Sequence, residues 1–161
     1  MPRRIEGRLD SKGKRYALIA SRYNDAIVSR LLQGALDCLE RHGVLEDDIT
    51  IHRTPGAFEI PQLARRLAAS KMYDAVICLG ALVRGETSHF EFIASSVTRG
   101  ISQAAEETGV PVTFGVLTTN TMEQARERSG GSRGNKGWEA AAAAIEMVGV
   151  IAQLRPGAAA S

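Results

Sequence analysis

Apolar and polar positions in this chain switch repeatedly between a short continuous run and a spacing of about four. Tyr16 to Ala20 is an apolar run closed by Ser21, and Ile27, Leu31, Ala35 and Leu39 then recur behind Asn24, a residue type that caps helix starts. A strand feeding a helix is predicted. Arg41, His42 and Gly43 end that helix, with cations in the last turn and a glycine for a left-handed cap. A second strand fits Asp48 to Arg53, Thr54, Pro55 and Gly56 break it, and a helix from about Phe58 to Ser70 carries Ile60, Leu63, Ala64 and Leu67 on one face. Tyr73 to Val83 is apolar enough for burial on both faces, the pattern of a central parallel strand. After Arg84 and Gly85, a long helix carries Phe90, Ile93, Val97, Ile101 and Ala104 along one stripe, with Ser88 and Glu91 at the spacing of a capping box. Pro111 to Leu117 is a fourth strand, and Thr121 with Gln124 opens a short helix ending near Ser129. Gly130 to Gly137 reads as a flexible connection, and Trp138 to about Leu154 as an Ala-rich closing helix.

Four strand–helix alternations imply right-handed crossovers and a parallel sheet covered on both faces. The expected architecture is an α/β/α sandwich of three layers with a flavodoxin-like four-stranded sheet in the order 2-1-3-4. Residues 1–155 form a single domain in this reading, 1–12 being an N-terminal arm and 156–161 a flexible tail. Arg4 to Leu9 alternates weakly and finds no place in so small a sheet, so it is expected to add as a strand to a neighbouring subunit.

Composition narrows the function classes. The chain has 161 residues, 44% hydrophobic and 24% charged, which suits one globular domain. Its 20 basic and 18 acidic residues are interleaved, whereas a nucleic-acid partner needs a clustered basic face. No apolar stretch approaches the ~18 residues of a membrane span, and the first residues lack the apolar core of a secretory signal. A cytoplasmic location without membrane partner is expected. Cys38 and Cys78 form no CxxC, so two buried free thiols are expected rather than a disulfide or a metal site.

In an open parallel sheet ligands bind beyond the carboxyl ends of the strands. Two of the loops there join an aromatic to a hydrogen-bonding residue, Tyr23 with Asn24 and Phe58 with Glu59, a combination suited to a flat polar ring. The alternative is that both aromatics are staples packed on their own helices. In the third loop Gly85 permits close approach, and the amides near Glu86, Thr87 and Ser88 face out of a helix start where an anion such as phosphate is stabilised. His89 beside it is a candidate proton acceptor. His42 reads as a helix-end cation, and His52 lies in a strand without an evident partner. Arg128, Arg133 and Lys136 form a basic patch far from these loops in sequence, for which a solvated loop is an equal explanation.

Four segments carry a resemblance: Pro55 to Pro61, Gly80 to His89, Phe114 to Asn120, and Glu123 to Gly130 followed by Gly134 to Gly137. In order and over nearly the whole chain they resemble the 6,7-dimethyl-8-ribityllumazine synthase family. The resemblance implies condensation of 5-amino-6-(D-ribitylamino)uracil with 3,4-dihydroxy-2-butanone 4-phosphate to give the lumazine, phosphate and water, the penultimate step of riboflavin biosynthesis. It implies no metal and no redox cofactor. Tyr23 matches the aromatic that stacks on the pyrimidine, and Asn24, Ala57, Phe58 and Glu59 match the lining of the ring and ribityl site. Ala81, Leu82 and Val83 match the backbone that binds the uracil edge, Glu86 and Thr87 the phosphate loop, and His89 the proton-transfer residue. Phe114, Arg128 and Lys136 match residues supplied by the adjacent subunit, Arg128 holding the phosphate. Tyr23 stands where Phe or Trp is common and keeps the stacking face. Ala81 stands where several relatives carry Thr, a change indifferent to a backbone contact.

The same resemblance implies a homopentamer, in some members twelve of them closed into an icosahedral shell of 60 subunits, with association of a riboflavin synthase left open. The compact Gly130 to Gly137 connection favours the shell. Two rivals remain at this point. One is a flavin- or lumazine-binding module of the same fold without chemistry, and the other a purely structural shell protein.

Overall fold

The structure, a computed structural model, describes residues 1–154, so the tail expected at 156–161 lies outside the described residues. Strands β1 (Tyr16–Ser21), β2 (Ile49–Thr54), β3 (Ala75–Val83) and β4 (Val112–Thr119) form one sheet in the order β2-β1-β3-β4. Every pairing is parallel. The helices α1 (Asp25–Arg41), α2 (Ile60–Ala69), α3 (His89–Thr108) and α5 (Lys136–Leu154) cover its two faces, and α4 (Met122–Glu127) follows β4.

Alternation along the central strands divides the interior into two cores. Tyr16, Leu18 and Ala20 of β1 with Ala75, Ile77 and Leu79 of β3 face α1 and α5. Ala17 and Ile19 with Val76 and Cys78 face α2 and α3. Each of these side chains is wholly buried, which is why the runs read as apolar without alternation.

Some boundaries differ from the sequence pattern for local reasons. The helix expected from Phe58 begins only at Ile60, because Ala57–Glu59 forms a 3-10 turn and Pro61, lacking an N–H, is suited to the first helical turn. β4 runs two residues further than expected, to Thr119, because it stays in register with β3 to its end, Val83 opposite Thr119. The box expected between Ser88 and Glu91 does not form. Ser88 has φ −72° and ψ −1°, a helical conformation, whereas a capping side chain normally sits on an extended residue. At α4 the Thr121 hydroxyl does accept from Gln124 N at 3.1 Å, but the Gln124 side chain accepts from Asn120 N, one residue upstream of the expected donor. His52 also has partners, since its Nδ1 is 3.3 Å from Leu18 O and its ring meets Tyr73 edge-on.

The largest correction concerns Gly130 to Gly137. It is not a loose connection but a small antiparallel hairpin, β5 (Ser129–Gly131) with β6 (Gly134–Asn135), running directly into α5. Asn135 holds it. Its Nδ2 donates to Arg30 O of α1 at 3.0 Å, while its Oδ1 accepts from Gly137 N at 2.8 Å and Trp138 N at 3.1 Å, capping α5. Gly137 lets α5 touch α1, for a Cβ there would lie 2.0 Å from Leu31 O.

By length and composition α5 is apolar enough to cross a membrane, which the search for consecutive apolar residues missed. Its Ala140, Ala141, Ala144, Ile145 and Val148 bury one face of the helix against α1 and the sheet. The arm forms no strand within the chain; Gln153 of α5 donates to Glu6 O at 2.7 Å. The arm ends at a buried anchor where Ser11 bonds the Tyr16 hydroxyl, which desolvation pushes up to about 12.

Cys38 and Cys78 are both buried and unpaired. Burial raises both thiols, Cys38 to about 11 and Cys78 further still. A thiol reagent at pH 8 is therefore expected to leave the folded protein unmodified and to react with both residues after denaturation; modification of the folded protein contradicts this assignment. Gly137→Ala forces the α1 and α5 backbones apart and is expected to lower stability by about 2–3 kcal/mol in chemical denaturation, with an unchanged midpoint as the contrary result.

Candidate active site

Because all four strands are parallel, the loops after β1, β2, β3 and β4 emerge at one edge of the sheet. The first two are stitched together by backbone bonds, Arg22 N to Thr54 O at 2.9 Å and Tyr23 N to Pro55 O at 3.1 Å. Arg53 adds an ion pair to Asp25 at 2.7 Å, tying the end of β2 to the start of α1. These contacts set Tyr23 and Asn24 beside Ala57 and Phe58.

Asn24 is the hinge of this arrangement. It occupies the cap position of α1 but makes no capping bond, because its backbone is left-handed, with φ 61° and ψ 44°, a region Asn tolerates better than most residues. Its amide instead donates to Ala81 O at 2.9 Å. β3 pairs with β1 only as far as Leu79 opposite Ala20, so Gly80 to Val83 outruns β1. Asn24 takes one carbonyl on that free edge. The remaining edge groups of the projecting segment face a cleft.

That cleft has a volume of about 560 Å³ and is lined by Tyr23, Asn24, Ala57, Phe58, Ala81, Leu82, Val83, Thr87 and His89. Tyr23 is 72% exposed and Phe58 56%, so neither aromatic is a staple packed on its own helix. Nine of the predicted site residues thus meet in one place. Glu59 and Glu86 line no part of it. The Glu59 carboxylate turns back to accept from Gly56 N at 2.9 Å, shaping the loop that carries Phe58, and Glu86 is exposed. Among the described residues the amides of Gly85 to Ser88 have no acceptor in the protein, leaving donors at the start of α3.

Phe114, Arg128 and Lys136 lie in a second cleft, of about 670 Å³, which shares no lining residue with the first. Arg133, Asn120, Gln124 and Glu139 are among its other walls, with the end of β4. The hairpin closes the distance between its cations, because Lys136 N donates to Arg128 O at 2.8 Å. One cleft therefore holds Tyr23, Phe58, Phe90 and the free amides, and the other, with Phe114, most of the positive charge.

Sequence reasoning overlooked Met122 as a wall of the first cleft, and it treated Phe90 and Ile93 only as core positions of α3. A signal was available for Met122, the first residue of a helix that opens at a strand's carboxyl end. Asn120 and Gln124 were seen only as loop and cap.

A family model described as 6,7-dimethyl-8-ribityllumazine synthase matches residues 13–152. The chain belongs to that family. It is 55% identical to the 6,7-dimethyl-8-ribityllumazine synthase of Chloroherpeton thalassium over 150 residues, 93% of this chain and 97% of that one. It is 54% identical to that of Syntrophus aciditrophicus over 96% of this chain and all of the relative, and 56% identical to that of Chlorobium luteolum over 91% and 94%. The lumazine synthase match spans every residue of both clefts, while the first twelve residues of the arm lie outside it.

Removing the Asn24 amide should loosen the β1 and β3 ends together. Asn24→Ala loses one part-buried hydrogen bond and adds left-handed strain, an expected cost of about 1–3 kcal/mol in denaturation. Asn24→Gly, which keeps the backbone freedom but not the bond, should cost less. Equal stability of Asn24→Ala and the parent contradicts the contact.

Proposed function

We propose that this chain condenses 5-amino-6-(D-ribitylamino)uracil with 3,4-dihydroxy-2-butanone 4-phosphate, yielding 6,7-dimethyl-8-ribityllumazine, phosphate and water. The observation that carries this reading is the convergence of Tyr23, Phe58 and His89 on one cleft in a lumazine synthase chain matched along nearly its whole length.

The pyrimidine lies on the Tyr23 ring, with its polar edge against the projecting backbone of Ala81, Leu82 and Val83. Asn24 and the Ala57 to Glu59 turn border the ring and its ribityl chain, Glu59 acting through the loop it caps. The phosphate of the second substrate sits at the Gly85 to Ser88 amides, with the Thr87 hydroxyl and the Glu86 backbone beside it. The substrate amine adds to the ketone and loses water to form an imine. Elimination then expels phosphate, and ring closure, with a second loss of water, completes the lumazine. His89 at the cleft wall moves protons between these steps, while the acceleration comes chiefly from holding both substrates in contact.

Among the described residues that line the first cleft, a phosphate dianion at the amide loop finds dipoles but no Lys or Arg. The second cleft offers Arg128 and Lys136 without such a loop. The two are complementary, and a neighbouring copy that presents its second cleft to this first one completes the site. The functional unit in this reading is a cytoplasmic homopentamer, with the N-terminal arm reaching the adjacent subunit and the short hairpin before α5 compatible with a closed 60-subunit shell.

Mixing both substrates with the protein is expected to generate the fluorescent lumazine; a binding module of the same fold would yield none. His89→Ala should reduce turnover about 10²-fold without abolishing it. Loss below detection with intact binding would contradict the division of labour between His89 and proximity. Arg128→Ala should raise KM for the butanone phosphate, and an effect confined to the pyrimidine would reassign that residue. Sedimentation separates monomer, pentamer and shell.

A further inference from the structure

Arg84 is the residue immediately after β3, and no role in the site attaches to it so far. Its backbone N donates to Thr119 O at 2.9 Å, extending the β3–β4 ladder by one step. Its guanidinium then serves three groups at once. Nε donates to Asn120 Oδ1 at 2.9 Å, Nη1 pairs with Glu91 in the first turn of α3, and Cζ lies over the Phe90 ring, 4.7 Å from its centre. Phe90 is a wall of the first cleft and Asn120 a wall of the second. Asn120 is itself held, because its N donates to Gln124 Oε1 at 2.9 Å.

Between Arg84 and Glu91 runs the Gly85 to Ser88 loop, which has little to hold it. Gly85 stands in open space, Ser88 makes no capping bond, and His89 N reaches the Thr87 hydroxyl only at 3.4 Å. The Arg84 side chain closes this loop like a bracket, joining the residue before it to the helix turn beyond its last. We propose that Arg84 is a positioning residue that fixes the Gly85–Ser88 amides for the substrate phosphate and fastens that loop to the wall of the second cleft. The inference rests on the reading that this loop receives a phosphate.

Two physical arguments favour positioning over stability. The Arg84 and Glu91 side chains are 42% and 55% exposed, and ion pairs that open to water contribute little to folding. The geometry is also one that only a guanidinium satisfies, since a lysine ammonium cannot donate along the Asn120 direction, pair with Glu91 and stack on Phe90 together.

The test compares Arg84→Gln, Arg84→Lys and Asn120→Ala with the parent, using steady-state kinetics and amide hydrogen exchange. Both Arg84 variants are expected to raise KM for the butanone phosphate about tenfold or more, with KM for the pyrimidine within about twofold and melting within ~2 °C of the parent. Asn120→Ala should fall between. Inorganic phosphate should slow exchange at Gly85 to Ser88 about tenfold in the parent and much less in Arg84→Gln, with the β1 and β3 amides unchanged in both. Full rescue by lysine, an equal rise in both KM values, or equal phosphate protection of the loop in the parent and Arg84→Gln would overturn the proposal. Should the parent form no lumazine, the proposed function falls, and loop exchange with and without inorganic phosphate still decides whether Arg84 positions these amides.

Discussion

The site depends on one unequal pairing. β3 is wholly buried through Ala75 to Leu79, which locks it between two helical layers, yet it continues past the last β1 pair. Burial on both faces makes the strand rigid, and the overrun leaves one backbone edge without a strand partner. A recognition surface made of main chain results, whose position is set by the core and not by side-chain rotamers. The loops after β1 and β2 then need only be bound to that edge, which Asn24 does through a carbonyl 57 residues away in sequence.

Much of this was legible from residue order. The run from Tyr73 to Val83 announced a strand buried on both faces, and strand–helix alternation implied the parallel sheet, whose simplest order, 2-1-3-4, is the one observed. The exposure of Tyr23 and Phe58 decided between a cleft wall and a local staple, a choice periodicity leaves open. What failed to be read follows a common rule. Capping patterns register partners three or four residues apart, so Asn24, Ser88 and Glu91 looked like local caps when Asn24 and Glu91 are engaged by, or engage, residues brought near by the fold. The hairpin at Gly130 to Gly137 was missed for the same reason. Its glycines suggest freedom, and the restraint comes from the α1 carbonyl of Arg30.

The division between the two clefts explains how a chain with a formal charge of only +2 can attend to a phosphate. Free amides, Tyr23 and Phe58 are gathered at the ends of β1, β2 and β3, and Arg128, Arg133 and Lys136 line the other cleft with Phe114. Within one chain Arg128 and Lys136 lie in the other cleft from the amide loop, and Arg84 beside that loop is committed to Asn120 and Glu91. Under the proposed function each half is completed by the other half of a neighbouring copy.

The ordered hairpin changes what binding at the second cleft costs. Arg128 ends α4 and Lys136 begins α5, each on backbone already bonded to the other and, through Asn135, to α1. Had they ridden on a wandering glycine loop, closing on an anion would have cost the entropy of ordering that segment. Here the backbone is immobilised when the chain folds, so only side-chain rotamers remain to be fixed by the ligand. The glycines act as places where two helices and a hairpin come close enough to hold one another still.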